Sequence, residues 1–180
     1  MYKVDDLVVY PAQGVGKINR IDTKTIGGAS CDIYIVGIQS NNITLMVPVK
    51  NAGSVGLRQL VDKQTAADIL DSLKNNQQAA VTVGQNWNRR FRKYSDKMKS
   101  PDLGVVADVL RELLVLGRDK ELSYGERRLQ EQAMSLVAGE ISEVLGTTTE
   151  DIRDTLLRIY APAPAPADEA RPKSGRGSRS

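Results

Sequence analysis

A chain of 180 residues with 41% hydrophobic residues and 25 Lys and Arg against 22 Asp and Glu has room for one ordinary domain or two small ones. It contains no histidine and a single cysteine, Cys31. That removes the commonest general base, the commonest metal ligand and any internal disulfide, so no enzyme, cofactor or metal is expected. No apolar run approaches the roughly 20 residues that cross a bilayer, and the acidic start Met1-Tyr2-Lys3-Val4-Asp5-Asp6 does not read as a secretory signal. A cytoplasmic protein is expected.

Residues 1–53 read as short strands at 7–10, 15–21, 32–38 and 43–47, rich in β-branched side chains. Asp5-Asp6 reads as a turn or strand entry, and Cys31 as a buried or half-buried strand residue. Pro11-Ala12-Gln13-Gly14, Gly27-Gly28 and Ser40-Asn41-Asn42 supply the turns, which suits a small, strongly bent antiparallel barrel with a thin core. A helical turn is expected over 55–60. A short helix follows over 65–74 with Thr65 as its N-cap, and then a polar linker over 75–85.

Four helices are predicted after the linker, at about 86–99, 101–116, 124–145 and 148–160. Ser100-Pro101 is an N-cap followed by proline in the first turn, and Gly117 lies near that helix's end. Ser123-Tyr124-Gly125-Glu126 and Thr147-Thr148-Thr149-Glu150 fit the capping-box pattern, with Gly146 as the stop between them. Residues 161–180 open on alternating Ala-Pro and end in a Gly/Ser/Arg stretch, the composition of a disordered, weakly basic tail.

The charge is concentrated. Residues 81–100 hold six cations against one anion, whereas 101–160 hold seven cations against twelve anions. On a helix, Trp87, Phe91, Tyr94 and Met98 form one stripe, flanked by an arc of Arg89, Arg90, Lys93 and Lys97. The stripe reads as core for Phe91, Tyr94 and Met98. Trp87, at the helix start between Asn86 and Asn88, is open to either burial or exposure. A flat apolar side chain beside guanidiniums is the combination with which minor-groove proteins hold phosphates and interrupt base stacking. Arg127 and Arg128, in the first turn of a helix, oppose its dipole, so they read either as phosphate contacts or as an exposed pair.

Several motifs then fall together. Val8-Val9-Tyr10-Pro11-x-x-Gly14-Val15-Gly16, Thr25-Ile26-Gly27-Gly28, Met46-Val47-Pro48-x-x-Asn51-Ala52 and Val55-Gly56-Leu57-Arg58 resemble the N-terminal module of CarD/CdnL proteins. Asn86-Trp87-Asn88-Arg89-Arg90 and Leu122-Ser123-x-Gly125-Glu126-x-Arg128 resemble their helical domain. The resemblance runs in order from about residue 2 to 160.

It implies an α+β chain of two domains, an N-terminal small Tudor-like antiparallel β-barrel and a C-terminal all-α helical bundle. The expected division is 1–60 Tudor-like module, 61–85 short helix and linker, 86–160 helical DNA-binding domain and 161–180 tail. The function implied is that of a nucleoid-associated transcription regulator whose first module binds the RNA polymerase β subunit through Met46, Val47 and Pro48. Its helical domain would contact promoter DNA without sequence preference, at the minor groove of the fork, through Trp87, Arg89, Arg90, Lys93, Arg127 and Arg128. Some family members carry arginine where Met46 stands. The chain is expected to act as a monomer and away from membranes. A stand-alone DNA-binding or architectural protein and a protein-bridging adaptor are the rival readings.

Overall fold

The structure, a computed structural model, describes residues 1–75, 77–78 and 86–163. Most of the expected linker and tail therefore lies outside the described residues. Four strands, β1 (Leu7–Tyr10), β2 (Gly14–Ile26), β3 (Ala29–Ile38) and β4 (Thr44–Pro48), form one antiparallel sheet in the order β1-β2-β3-β4. β2 and β3 extend beyond the apolar runs that mark them in the sequence, because Gly27 and Gly28 close a two-residue hairpin between the paired Ile26 and Ala29. Both glycines take positive φ, 61° and 82°, which matches the primed turns whose twist suits a hairpin. A register shift between Ile18 and Arg20 bends the sheet, so that Val8, Ile18, Tyr34, Val36, Ile38, Val47, Ala52 and Leu57 enclose a core on its concave side.

The segment 55–60 is not the helical turn its sequence suggested. Gly56 adopts φ 80°, and Arg58 extends and bridges Val9 through both backbone groups (2.8 and 3.1 Å). Pairing with a waiting strand edge outweighs a single helical turn, which fixes three residues for one hydrogen bond. Asp5 and Asp6 lie in a turn, where the Asp6 carboxylate accepts from the Lys3 N–H at 2.7 Å. Cys31 is half-buried on β3.

Five helices follow among the described residues: α1 (Lys63–Asn75), α2 (Trp87–Met98), α3 (Leu103–Asp119), α4 (Tyr124–Leu145) and α5 (Thr149–Ile159). Each contributes to one apolar core. Ala66 and Leu73 of α1, Tyr94 and Met98 of α2, Val109, Leu110 and Leu113 of α3, Ala133, Val137 and Ile141 of α4, and Ile152 and Leu156 of α5 are all buried in it. α1 thus belongs to the helical core, held also by a 2.6 Å bond from the Tyr160 hydroxyl to the Leu73 carbonyl. No described helix is long and apolar enough to cross a membrane.

The caps match expectation at α4 and shift elsewhere. Ser123 and Glu126 make the reciprocal capping box, and Gly146 ends α4 in the left-handed conformation. At α1 the Asp62 carboxylate, not Thr65, takes the free N–H groups, accepting from Thr65 N–H at 2.7 Å. At α3 the cap is Asp102, accepting from Gly104 N–H at 2.8 Å, while the Ser100 hydroxyl accepts from Asp102 N–H. Starting there places Leu103, rather than Pro101, in the first turn, where it is buried. Gly117 lies inside α3, which runs on to Asp119. At α5 the cap is Thr148, one residue later than the start of the expected box.

The two modules meet along a seam of Val9, Tyr10, Pro11 and Gly14 against Met98, Leu103, Val106 and Leu136. Polar bonds close it. Arg58 donates from both terminal nitrogens to the Glu140 carboxylate (2.6 and 2.8 Å), which also accepts from Val61 N–H at 2.9 Å. Arg58 further bonds the carbonyls of Gln59 and Pro101. Glu140 is 1% exposed, so its charge is tolerable only because each oxygen has a donor.

Candidate nucleic-acid interface

α2 starts where the Asn86 side chain accepts from Asn88 N–H at 3.1 Å, which puts Trp87 at its first position. The aromatic stripe divides along its length. Tyr94 and Met98 are buried at 3% and 2%, whereas Trp87 is half-buried and Phe91 is 43% exposed. Phe91 is therefore not the core residue its spacing suggested. Its ring packs against Trp87 instead, with centroids 5.5 Å apart and planes tilted by 53°. The burial of Tyr94, together with the neighbouring Glu112 carboxylate, raises its phenol above the ordinary value.

The basic arc also divides. On its inner edge, Arg90 reaches Glu126 of α4 at 3.2 Å and Lys97 reaches Glu112 of α3 at 3.7 Å. The Arg90 side chain is only 14% exposed, and its Nε is buried without an acceptor among the described residues. On its outer edge Arg89 and Lys93 are exposed, as is Arg92 beside the stripe, and none of the three is held in an ion pair among the described residues.

The start of α4 supplies the second wall. Gly125 lies directly under the indole: a Cβ built there would fall 2.7 Å from Trp87 Cζ2. Arg128 is exposed and likewise free among the described residues. Arg127 pairs with Glu121 at 2.6 Å, but both side chains are mostly in solvent, where such a pair contributes little. Between these arginines stands Tyr124, 82% exposed at the first position of α4. Its side chain is one the sequence reasoning did not single out. The signal was present, since an aromatic residue that follows an N-cap, outside the apolar stripe of its helix, has no core to enter.

Glu126 anchors this arrangement. It is 2% exposed, yet its carboxyl lies below the ordinary glutamate value. Burial disfavours the charge, but the Ser123 hydrogen bonds and the nearby Lys120 and Arg90 charges outweigh it. α2 and the start of α4 thus present an aromatic–basic rim: Trp87 packed on the exposed Phe91, the exposed Tyr124, and the exposed Arg89, Arg92, Lys93, Arg127 and Arg128. Such a rim can stack on bases and neutralise phosphates.

The polymerase-contact positions read from the resemblance lie on the other module. β4 is a terminal strand of the sheet, paired only with β3. Along it Met46 is 62% exposed, Val47 points into the barrel core, and Pro48 is half-buried. These three residues share a strand but not a face. Among the described residues, no group of three or more cysteine and carboxylate side chains is placed to hold a metal ion.

Comparison with known proteins matches both halves of the chain. Residues 2–61 fit the family described as the CarD-like/TRCF RID domain, and residues 68–157 fit the CarD C-terminal domain. A Bacillus subtilis (strain 168) protein named "Putative transcription factor YdeB" is 24% identical over 153 residues, covering 85% of this chain and 98% of that protein. With both modules matched in order, the chain belongs to the CarD family and is a transcription regulator, not an enzyme.

Proposed function

We propose that this protein holds RNA polymerase in the promoter open complex with two hands. The β module docks on the polymerase β subunit along β4, with Met46 as the exposed side chain. Because Val47 is turned inward, β4 offers its backbone edge and alternate side chains, the manner in which an open strand accepts another. The helical module then applies its aromatic–basic rim to DNA at the upstream fork. Trp87 inserts at a step that is already parting, while Arg89, Lys93, Arg127 and Arg128 take phosphates, with Tyr124 and Phe91 flanking. Arg90, committed to Glu126, supports the indole rather than reaching out. The protein acts as one copy per polymerase, needs no cofactor, and works at the nucleoid in the cytoplasm.

The observation that carries this reading is the placement of the only tryptophan, half-buried at a helix start against the exposed Phe91, on helices that also carry the exposed Arg89, Arg92 and Arg128. Unstacking intact duplex costs roughly a few kcal/mol per step. An indole wedge therefore binds melted DNA better than closed DNA and shifts the equilibrium toward melting. Docking on polymerase raises the local concentration of the rim, so modest DNA affinity suffices and no sequence needs to be read. The test has two arms. Trp87→Ala should shorten open-complex lifetime while retaining capture by the β subunit, and Met46→Glu should abolish capture. Tight duplex binding by the full chain without polymerase, unaffected by Met46→Glu, would favour a stand-alone DNA-binding protein instead.

A further inference from the structure

The DNA reading makes Trp87 the working side chain but leaves open what fixes its pose, since it sits on the first residue of α2, two turns from the buried Tyr94. We infer that Gly125 and Glu126, neither of which need touch DNA, are the positioning residues of the indole. This inference rests on the proposed wedge role of Trp87.

Two contacts define the seat. The benzo edge of the ring lies so close to Gly125 that a Cβ would come within 2.7, 3.4 and 3.7 Å of Cζ2, Cη2 and Cε2. The first distance is shorter than van der Waals contact allows, and the opposing atoms belong to a rigid ring, so any side chain at 125 lifts the indole off α4. Glycine here also runs against local propensity, since alanine is favoured over it in a helix. The flat approach of the ring is what glycine makes room for.

The second contact is the division of labour in the Glu126 carboxylate. Its Oε2 accepts from Ser123 N–H at 2.8 Å and so fixes the start of α4. Its Oε1 faces Arg90 at 3.2 Å and Lys120 at 3.5 Å. Arg90 stands three residues after Trp87, on the same side of α2. One buried carboxylate thus ties the helix end that carries Gly125 to the helix turn that carries the indole. Seat and ring move together, so the wedge meets DNA as a preset surface rather than a mobile side chain.

The full-length protein supplies its own probe, because Trp87 is its only tryptophan. Indole emission and iodide quenching are measured in wild type, Gly125→Ala, Glu126→Gln and the control Gly139→Ala, together with open-complex lifetime. Gly139 lies in the same helix with nothing within 4 Å of a built Cβ, so it receives the propensity gain alone. Gly125→Ala should shift emission to the red, increase quenching, and shorten lifetime by about tenfold, within the range for one aromatic–base stack. Glu126→Gln should move both readouts the same way but less, and Gly139→Ala should move neither.

If Gly125 does not seat the indole, Gly125→Ala should leave emission and lifetime unchanged, with thermal stability held or raised by the gain in helix propensity. That result overturns the inference. If Trp87→Ala shortens lifetime and Gly125→Ala does not, positioning alone is refuted. If Trp87→Ala has no effect, the wedge reading falls and the positioning role with it.

Discussion

The seam between the modules gives the sharpest energetic prediction. Replacing Arg58 with Leu leaves the Glu140 carboxylate 1% exposed, with only the Val61 N–H to compensate it. Removing one partner of a buried ion pair destabilises by about 3–5 kcal/mol, and this carboxylate belongs at the upper end. The reciprocal Glu140→Leu strands a guanidinium that is still 23% exposed and keeps the Pro101 and Gln59 carbonyls, so its loss should lie near 3 kcal/mol. The double variant removes both charges together. Its loss should be well below the sum of the singles, because apolar replacement of a buried pair is often close to neutral.

Urea denaturation of all four proteins completes the cycle. Because the Arg58 side chain ties the β module to α4, undocking of the modules should precede their unfolding in the single variants and split one transition into two. Single-variant losses below about 1 kcal/mol, or additive losses in the double, would refute the assignment of Arg58–Glu140 as the lock.

Other consequences can be measured independently. Tyr124→Ala should weaken binding to forked DNA by about 1 kcal/mol or more without changing thermal stability, since its ring is almost wholly in solvent; filter binding and calorimetry together check this. Arg128→Gln should reduce the salt slope of DNA affinity by about 1, the signature of one lost phosphate contact. Arg90→Gln should change stability more than that slope. Glu126 gives the pH dependence. Its folded pKa lies below the ordinary 4.5, so its contribution is complete above that value and is lost as pH falls through the folded pKa. Wild type should therefore exceed Glu126→Gln in urea midpoint at pH 7, with the gap narrowing on acidification below about pH 4.5.

What could be read from sequence was what local chemistry decides. Ser123 with Glu126, and Gly146 at the far end, bound α4 because a capping box and a left-handed stop act within one turn. The Gly27-Gly28 hairpin is of the same kind. The basic arc beside an aromatic stripe was also visible, because helical periodicity places those residues whatever surrounds them. Local rules failed where neighbours distant in sequence choose between equal options. Ser100 and Asp102 both could cap α3, and the burial of Leu103 selects Asp102. Phe91 has the right spacing for the core, yet its ring packs on Trp87 and stays 43% exposed. Arg89 and Arg90 are adjacent and chemically identical, and the carboxylate that holds Arg90, Glu126, lies 36 residues away. The Arg58–Glu140 lock spans 82 residues, and no pattern within either segment announces it.

The bridge from Arg58 to Val9 has a consequence for how the sheet meets other chains. Every open sheet ends in two rows of unsatisfied backbone groups, and a protein with both rows free can stack into fibres. Here one row is already partly occupied by the protein's own chain, the stretch that also carries the guanidinium of the lock. The β4 side is the freer of the two, so a visiting strand is more readily accepted there than along β1. On the proposed reading, in which β4 meets polymerase, a sheet with one freer edge takes up the partner strand there.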